Sequence, residues 1–354
     1  MRRTILLATA LAFFASSARA LTPEEILNYR GADREQMLVE GAKKEGQVVL
    51  YSALIVNQML RPLAAGFMKK YPFLKMTFHR QDSEELLLKL SAEARSNNVI
   101  ADLFEGSGGG EIAVEAGLTQ PFYTPMLDVY PKMYLDPKRH LAPTRLSYFS
   151  IAYNTKLVPP DKVPKTYEDL LDPQWTGKMA WPYANTGRFL FLINLRLAWG
   201  DDKAMDYFTR LSKQKIINFA SGSARTLVDR VIAGEYPIAI CIYAHHPLIS
   251  AGKGAPVNSQ LMDPVPSVAG TLAVLKATKH PHAAMLLTDF ILSKEGQEIM
   301  SKAEYFPAHP DVDAAPQLAS IVPKKAGYKE NYVNPQQLKE MLPSTDQIIQ
   351  KLFR

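Results

Sequence analysis

Val48-Val49-Leu50-Tyr51 opens a pattern that recurs downstream: a short apolar run, a longer stretch with helical spacing, then another short run. Apolar runs of four to eight residues suit strands, and longer periodic segments suit helices. After Tyr51 a helical stretch runs to Lys70, and Leu74 to His79 has strand character. Glu84 to Arg95 reads as a helix with Leu86, Leu87 and Leu90 on one face, and Ile100 to Phe104 as a further strand. Upstream, Pro23 to Glu45 reads as one helix. This alternation predicts an α/β architecture of mainly parallel sheets, with helices on both faces and ligands at strand carboxyl ends.

Thr119 to Pro143 is rich in proline and tyrosine, which predicts irregular structure or the approach to an interdomain crossing. Ser147 to Asn154 has strand propensity, and a second α/β block runs to about Pro266. Val268 to Leu275 is again strand-like, and the chain ends in helices. No internal repeat or sustained heptad pattern is visible.

Residues 1–20 read as an export signal. Arg2 and Arg3 form a basic start, Ile5 to Phe14 an apolar segment, and Ala18-Arg19-Ala20 a small-x-small cleavage site after Ala20. About ten apolar residues are too few to cross a bilayer core, which needs roughly 20. No cysteine follows the cleavage point, so no lipoprotein anchor is expected there. The remaining 334 of 354 residues suit two lobes better than one core. The three arginines of the first 20 residues lower the formal charge from +6 to +3. The basic residues are scattered, so nucleic acid is not an expected partner. Cys241, the lone cysteine, sits in an apolar run and reads as a buried thiol rather than a nucleophile.

Ala283-Ala284-Met285-Leu286-Leu287-Thr288-Asp289-Phe290-Ile291-Leu292-Ser293-Lys294-Glu295-Gly296-Gln297 resembles a segment of periplasmic solute-binding proteins of the iron(III)-binding type, which deliver ligands to ABC importers. Three further segments match that family in order: Ala101 to Phe104, Thr166 to Lys178 and Gly234 to Ile240. The resemblance implies a two-lobed periplasmic-binding-protein fold (type II-like), with crossing hinge strands and ligand held in the cleft. The lobes would be residues 21–148 with 270–354, and residues 149–269. It also implies a monomer, an inner-membrane ABC permease as partner, no cofactor and no catalysis.

Several positions are candidates for the ligand. Asn185-Thr186-Gly187-Arg188 precedes the apolar stretch Phe189 to Trp199, with Asn185 or Thr186 as N-cap. Unpaired amides at a helix start can hold an anion, with Arg188 adding charge, although ordinary capping explains the same residues. Ser221-Gly222-Ser223-Ala224-Arg225 repeats the arrangement ahead of a helix bearing Leu227, Val228, Val231 and Ile232, with Gly234 as its stop. Ile238 to Tyr243 is an apolar strand ending in Ala244-His245-His246-Pro247. Neighbours in an extended segment point to opposite sides, so at most one of the two histidines is expected to face the cleft, and a plain surface histidine explains the same residues. In the first lobe, Ser52 follows the opening strand, and Glu105-Gly106-Ser107-Gly108-Gly109-Gly110 is either a close-approach loop or a plain turn. It lacks the spacing of a dinucleotide fingerprint. The expected ligand-binding set is Ser52, Ser107, Gly108, Thr186, Gly187, Arg188, Ser223, Tyr243 and His245. Tyr153, Tyr243 and Tyr305 are candidate pocket walls, or core residues.

Ferric members of the family hold iron with an adjacent tyrosine pair, a carboxylate or histidine, and an anion. By resemblance the pair falls here on Ala244 and His245, and the carboxylate position on Ser107, with Glu105 adjacent. The loop Ala53-Leu54-Ile55 offers no histidine. The expectation is therefore capture of a small anionic organic ligand (carboxylate, phosphonate or phosphate ester) with no metal. The alternatives are iron held by Tyr243, His245 and Glu105 with an anion, or a secreted hydrolase using His245 as acid/base, for which no Gly-x-Ser-x-Gly elbow exists.

Overall fold

The computed structural model describes residues 21–182, 186–220 and 223–353, with the side chain of Thr186 left aside. The expected export segment, the N-cap candidate Asn185, and Ser221 with Gly222 lie outside the described residues. In chain order the elements begin with α1 (Pro23–Leu27), α2 (Arg34–Glu45), β1 (Gln47–Ser52), α3 (Arg61–Lys70), β2 (Lys75–Arg80), α4 (Ser83–Arg95), β3 (Leu103–Ser107) and α5 (Gly110–Glu115). A stretch of turns leads to β4 (Ala142–Asn154), followed by β5 (Met179–Pro182), α6 (Thr186–Trp199), α7 (Asp201–Ser212), β6 (Ile217–Phe219), α8 (Ala224–Ile232), β7 (Ile238–Tyr243), α9 (His245–Ala251) and β8 (Val257–Gln260). The chain continues with β9 (Val265–Val274), α10 (Pro281–Leu292), α11 (Lys294–Lys302), β10 (Phe306–Pro307), α12 (Pro323–Ala326), β11 (Glu330–Tyr332) and α13 (Pro335–Leu352).

Two parallel strand groups are joined through antiparallel crossings. In the first lobe β2, β1 and β3 pair parallel, and β9 runs antiparallel beside β3. In the second, β6, β5 and β7 pair parallel, and β4 runs antiparallel beside β7. β4 is long enough to serve both: Ala142 to Tyr148 pair with β9, and Phe149 to Asn154 pair with β7 and β8. The fold is the expected α/β one, two-lobed with crossing strands.

Side-chain alternation explains how each sheet is covered on both faces. Val48 and Leu50 of β1 enter the core beneath α2, α3 and α10, while Tyr51 enters the cluster under α4 with Leu86, Leu87 and Leu90. In β7, Ile238 and Ile240 face the α6–α7 side, and Ala239 and Ile242 face α8. Cys241 breaks the alternation by joining Ile240 on its face. It has φ of 63°, and the β4 register shifts between Ser150 and Ala152 beside it, the signature of a β-bulge.

Three expectations need correction. The N-terminal helix is two, because Asn28 ends α1 and Asp33 precedes α2, with turn residues between. His245 and His246 do not continue the strand: they begin α9, with Pro247 in its first turn. Lastly, α13 packs on the second lobe, where Ile349 and Phe353 join the core of Trp181 and Phe191, rather than on the first lobe with which residues 335–353 were grouped.

Candidate functional site

β4 carries a single charged residue among thirteen, Arg145, and the crossing strand buries it to 7 % exposure. Its guanidinium is ion-paired with Glu105 in the middle of β3, and Nη2 donates to Ser107 Oγ at the end of that strand at 3.1 Å. Gly270 lies opposite Arg145 on β9, and a Cβ there would sit 2.6 Å from the guanidinium, so glycine is what lets the side chain cross the hinge. Glu105, 1 % exposed, also accepts from Ser52 Oγ at 2.6 Å and from Thr144 Oγ1 at 3.2 Å. Its donors therefore come from β1 and β4, and its oxygens are engaged within the protein. A buried pair of this kind is costly to break from one side only.

On its other flank Arg145 lies 5.6 Å from the Tyr305 ring, and Tyr305 lies 5.9 Å from the His245 ring. His245 packs on Phe306 at 5.8 Å and on His246 at 4.5 Å, and His246 lies 5.4 Å from Tyr243. The helical turn of α9 thus brings both histidines to one place, where an extended strand would have separated them. Arg225, in the first turn of α8, donates from Nη1 to the His246 carbonyl at 3.1 Å. A continuous path of contacts therefore runs from Ser52 through Glu105, Arg145, Tyr305 and the histidines to α8.

Burial is the main force that lowers the His245 pKa well below its ordinary value, and His246, Arg145 and Arg225 add to it. His246 is pushed down to about 3, by burial first and Arg225 second. Both rings are thus neutral near pH 7; Arg225 acts on both, and Arg145 on His245 alone. Burial raises the Tyr243 phenol, opposed by Arg145 and aided by Asp82 at the start of α4. Cys241 is buried and its thiol pKa raised, which suits a packing role.

Of the expected residues, Ser52, Ser107, Tyr243 and His245 fall along this path. Gly108, with φ of 75°, turns the chain directly after Ser107. Ser223 caps α8, accepting from the Thr226 amide at 3.3 Å, two residues before Arg225. Gly187 and Arg188 lie in the first turn of α6, where the Arg188 guanidinium lies 5.9 Å from the Trp181 ring and 3.4 Å from Asn218 Oδ1. Tyr153 does not wall this region: it pairs with Ile238, at the opposite end of β7 from Tyr243. The sequence reading passed over Arg145. Its available signal was a lone charge between Ala142 and the apolar strand residues after it, but the strand was expected to begin only at Ser147.

Residues 98–329 match the family of bacterial extracellular solute-binding proteins. An Fe(3+)-binding periplasmic protein of Serratia marcescens is 24% identical over 293 residues, 78% of this chain and 82% of its own. The periplasmic binding protein AfuA of Actinobacillus pleuropneumoniae, solved with exogenous fructose-6-phosphate bound, is 25% identical with a TM-score of 0.71, over 87% of this chain and 99% of its own. Iron-bound HitA of Pseudomonas aeruginosa shares the fold at 20% identity and a TM-score of 0.70, over 85% of this chain and 99% of its own. No helix among the described residues is long and apolar enough to cross a membrane.

Proposed function

The chain belongs to the bacterial extracellular solute-binding proteins, of the iron(III)-binding type, and from that premise we propose that it captures a small organic anion in the periplasm for an ABC permease. The ligand class is a carboxylate, phosphonate or phosphate ester, and capture proceeds by closure of the two lobes about the crossing strands. The observation that carries this reading is the placement of Arg145 and Arg225 on either side of two neutral histidines. Each guanidinium is charge-balanced by a carboxylate, Glu105 or Asp229, so what supports a negative ligand is the set of N–H donors beside uncharged rings rather than a net positive charge. The AfuA relative, with a sugar phosphate bound, supports the same class.

Iron is the second reading, favoured by the Serratia relative. Against it, the residue after Tyr243 is Ala244, Glu105 is engaged with Arg145, and among the described residues no group of three or more His, Cys, Asp or Glu side chains has metal-binding geometry. Catalysis is not part of the proposal.

Native mass spectrometry of the signal-free protein purified from cells, before and after denaturing release, separates the readings. A discrete organic anion released unchanged is the expected result. Stoichiometric iron with a phenolate charge-transfer band would establish the second reading, and a chemically altered ligand would point to the hydrolase.

A further inference from the structure

Two ring nitrogens at this site have no use yet. Nδ1 of His245 and Nδ1 of His246 are both shut off from solvent and have no hydrogen-bond partner among the described residues. His245 as a whole is 7 % exposed. Native proteins rarely leave buried polar atoms in this condition, and where they do the missing partner is often a bound species. Part of the cover comes from Tyr305 and Phe306, which belong to the same core cluster as neighbouring Ala244.

We propose that His245 and His246 read an uncharged polar group on the captured anion, so that the ligand is a hydroxylated organic anion rather than a bare phosphate or a simple carboxylate. The inference rests on the anion reading above and specifies its substrate. A neutral imidazole has one N–H and one bare nitrogen, and a hydroxyl both donates and accepts. A hydroxyl can therefore satisfy either ring in either tautomer, whereas an anionic oxygen can only accept. The division of labour follows: the arginines set the sign of the charge, and the histidines report what is attached to it. Glu105, the carboxylate on the path that leads to the rings, is held by Arg145. β8 presents Asn258, Ser259 and Gln260, β10 presents Phe306 and Pro307, and the Asp229 carboxylate of α8 is occupied by Arg225 at 2.9 Å.

Calorimetric titration with matched probes tests this: glycerol 3-phosphate against propyl phosphate, and glycerate against propionate, with fructose 6-phosphate as a larger probe. The expected result is at least about tenfold tighter binding of the hydroxylated member, since sites built to hydrogen-bond a hydroxyl reject analogues that lack it. His245→Phe and His246→Phe should bring that ratio close to one. His245→Asn, whose amide reaches the Nδ1 position, should retain it, and His245→Gln, which reaches toward Nε2, should not. If a Phe variant loses its circular dichroism signature, the Asn and Gln contrast carries the test. Equal binding within each pair, or ratios untouched by the Phe variants, would overturn the histidine role while leaving anion capture standing. If no probe binds, including fructose 6-phosphate, the anion reading itself falls and this inference with it.

Discussion

At the scale of single residues, Glu105 and Arg145 show how a buried charge is tolerated. Each is nearly sealed, and each has neutral partners besides the other: Ser52 and Thr144 for the carboxylate, Ser107 for the guanidinium. Glu105→Ala strands the guanidinium in the hinge and should cost roughly 3–5 kcal/mol in urea unfolding, whereas Glu105→Gln with Arg145→Met should recover most of that loss. The histidines give a second prediction. His246 takes a proton near pH 3 in the folded protein and near 6.5 when unfolded, so between those values the unfolded chain binds more protons. Stability is then complete above pH 6.5 and declines as pH falls toward 3, with a slope approaching ~1.4 kcal/mol per pH unit for this group. His246→Asn should flatten the ligand-free stability profile between pH 6 and 4 by roughly that slope, and identical profiles would show that the ring is not held neutral. Ser52, Ser107 and Tyr243 stand at the strand ends that the sequence suggests, whereas His245, expected on an extended segment, begins α9. Arg145 was not legible, because nothing in a single sequence marks which lone arginine will be roofed by a crossing strand.

At the scale of elements, the segment from Ala283 to Gln297 shows why a sequence pattern can be diagnostic of a fold while carrying none of the candidate ligand-binding residues. Asp289 on α10 pairs with Arg34 on α2 at 2.5 Å, and Ser293 caps α11. A Cβ on Gly296 would stand 2.0 Å from the Phe290 carbonyl oxygen, so glycine alone permits the tight turn between α10 and α11. Gln297, fully buried, donates to the Thr144 and Ile291 carbonyls and accepts from the Ala308 and His309 amides. One side chain thus ties a helix to the crossing strand next to Arg145. The bulge in β7 lay beyond sequence reading: Ile238 to Tyr243 has the limits expected of it, but an apolar run does not announce where its alternation slips. That slip decides the facing of the strand end that carries Tyr243 and leads into His245. Because Cys241 holds φ of 63°, a β-branched residue there is strained. Cys241→Val should therefore cost about 1–3 kcal/mol beyond any change in packing. Cys241→Ala should be the milder of the two, and the reverse order in chemical denaturation would show the bulge relaxes freely.

At the scale of the whole molecule, the lobes are joined by more than β4 and β9. The segment from β11 onward makes a third connection. Ser267 Oγ and Tyr134 Oη donate to Glu330, and Asn331 donates to Asn194 on α6 at 2.8 Å. Beyond it, α13 receives Arg196 at Ser344 and Thr345, and the Phe353 carbonyl accepts from Asn218 at 2.8 Å. Lys339 of α13 is ion-paired with Glu115 of α5, so the helix that packs on the second lobe also touches the first. Closure of the lobes about β4 and β9, as proposed above, would have to carry this third connection with it. The His245 ring packs against Tyr305 and Phe306. Small-angle scattering should therefore show a smaller radius of gyration with a tightly bound hydroxylated anion than without it. Lys339→Ala should broaden the ligand-free distribution of shapes while leaving the closed form unchanged, because the bound anion then supplies the contacts between lobes that the third connection no longer does. An identical radius with and without a ligand shown to be bound would mean that the site is reached without lobe movement, and the rings of Tyr305 and His245 would then have to part by side-chain rotation alone.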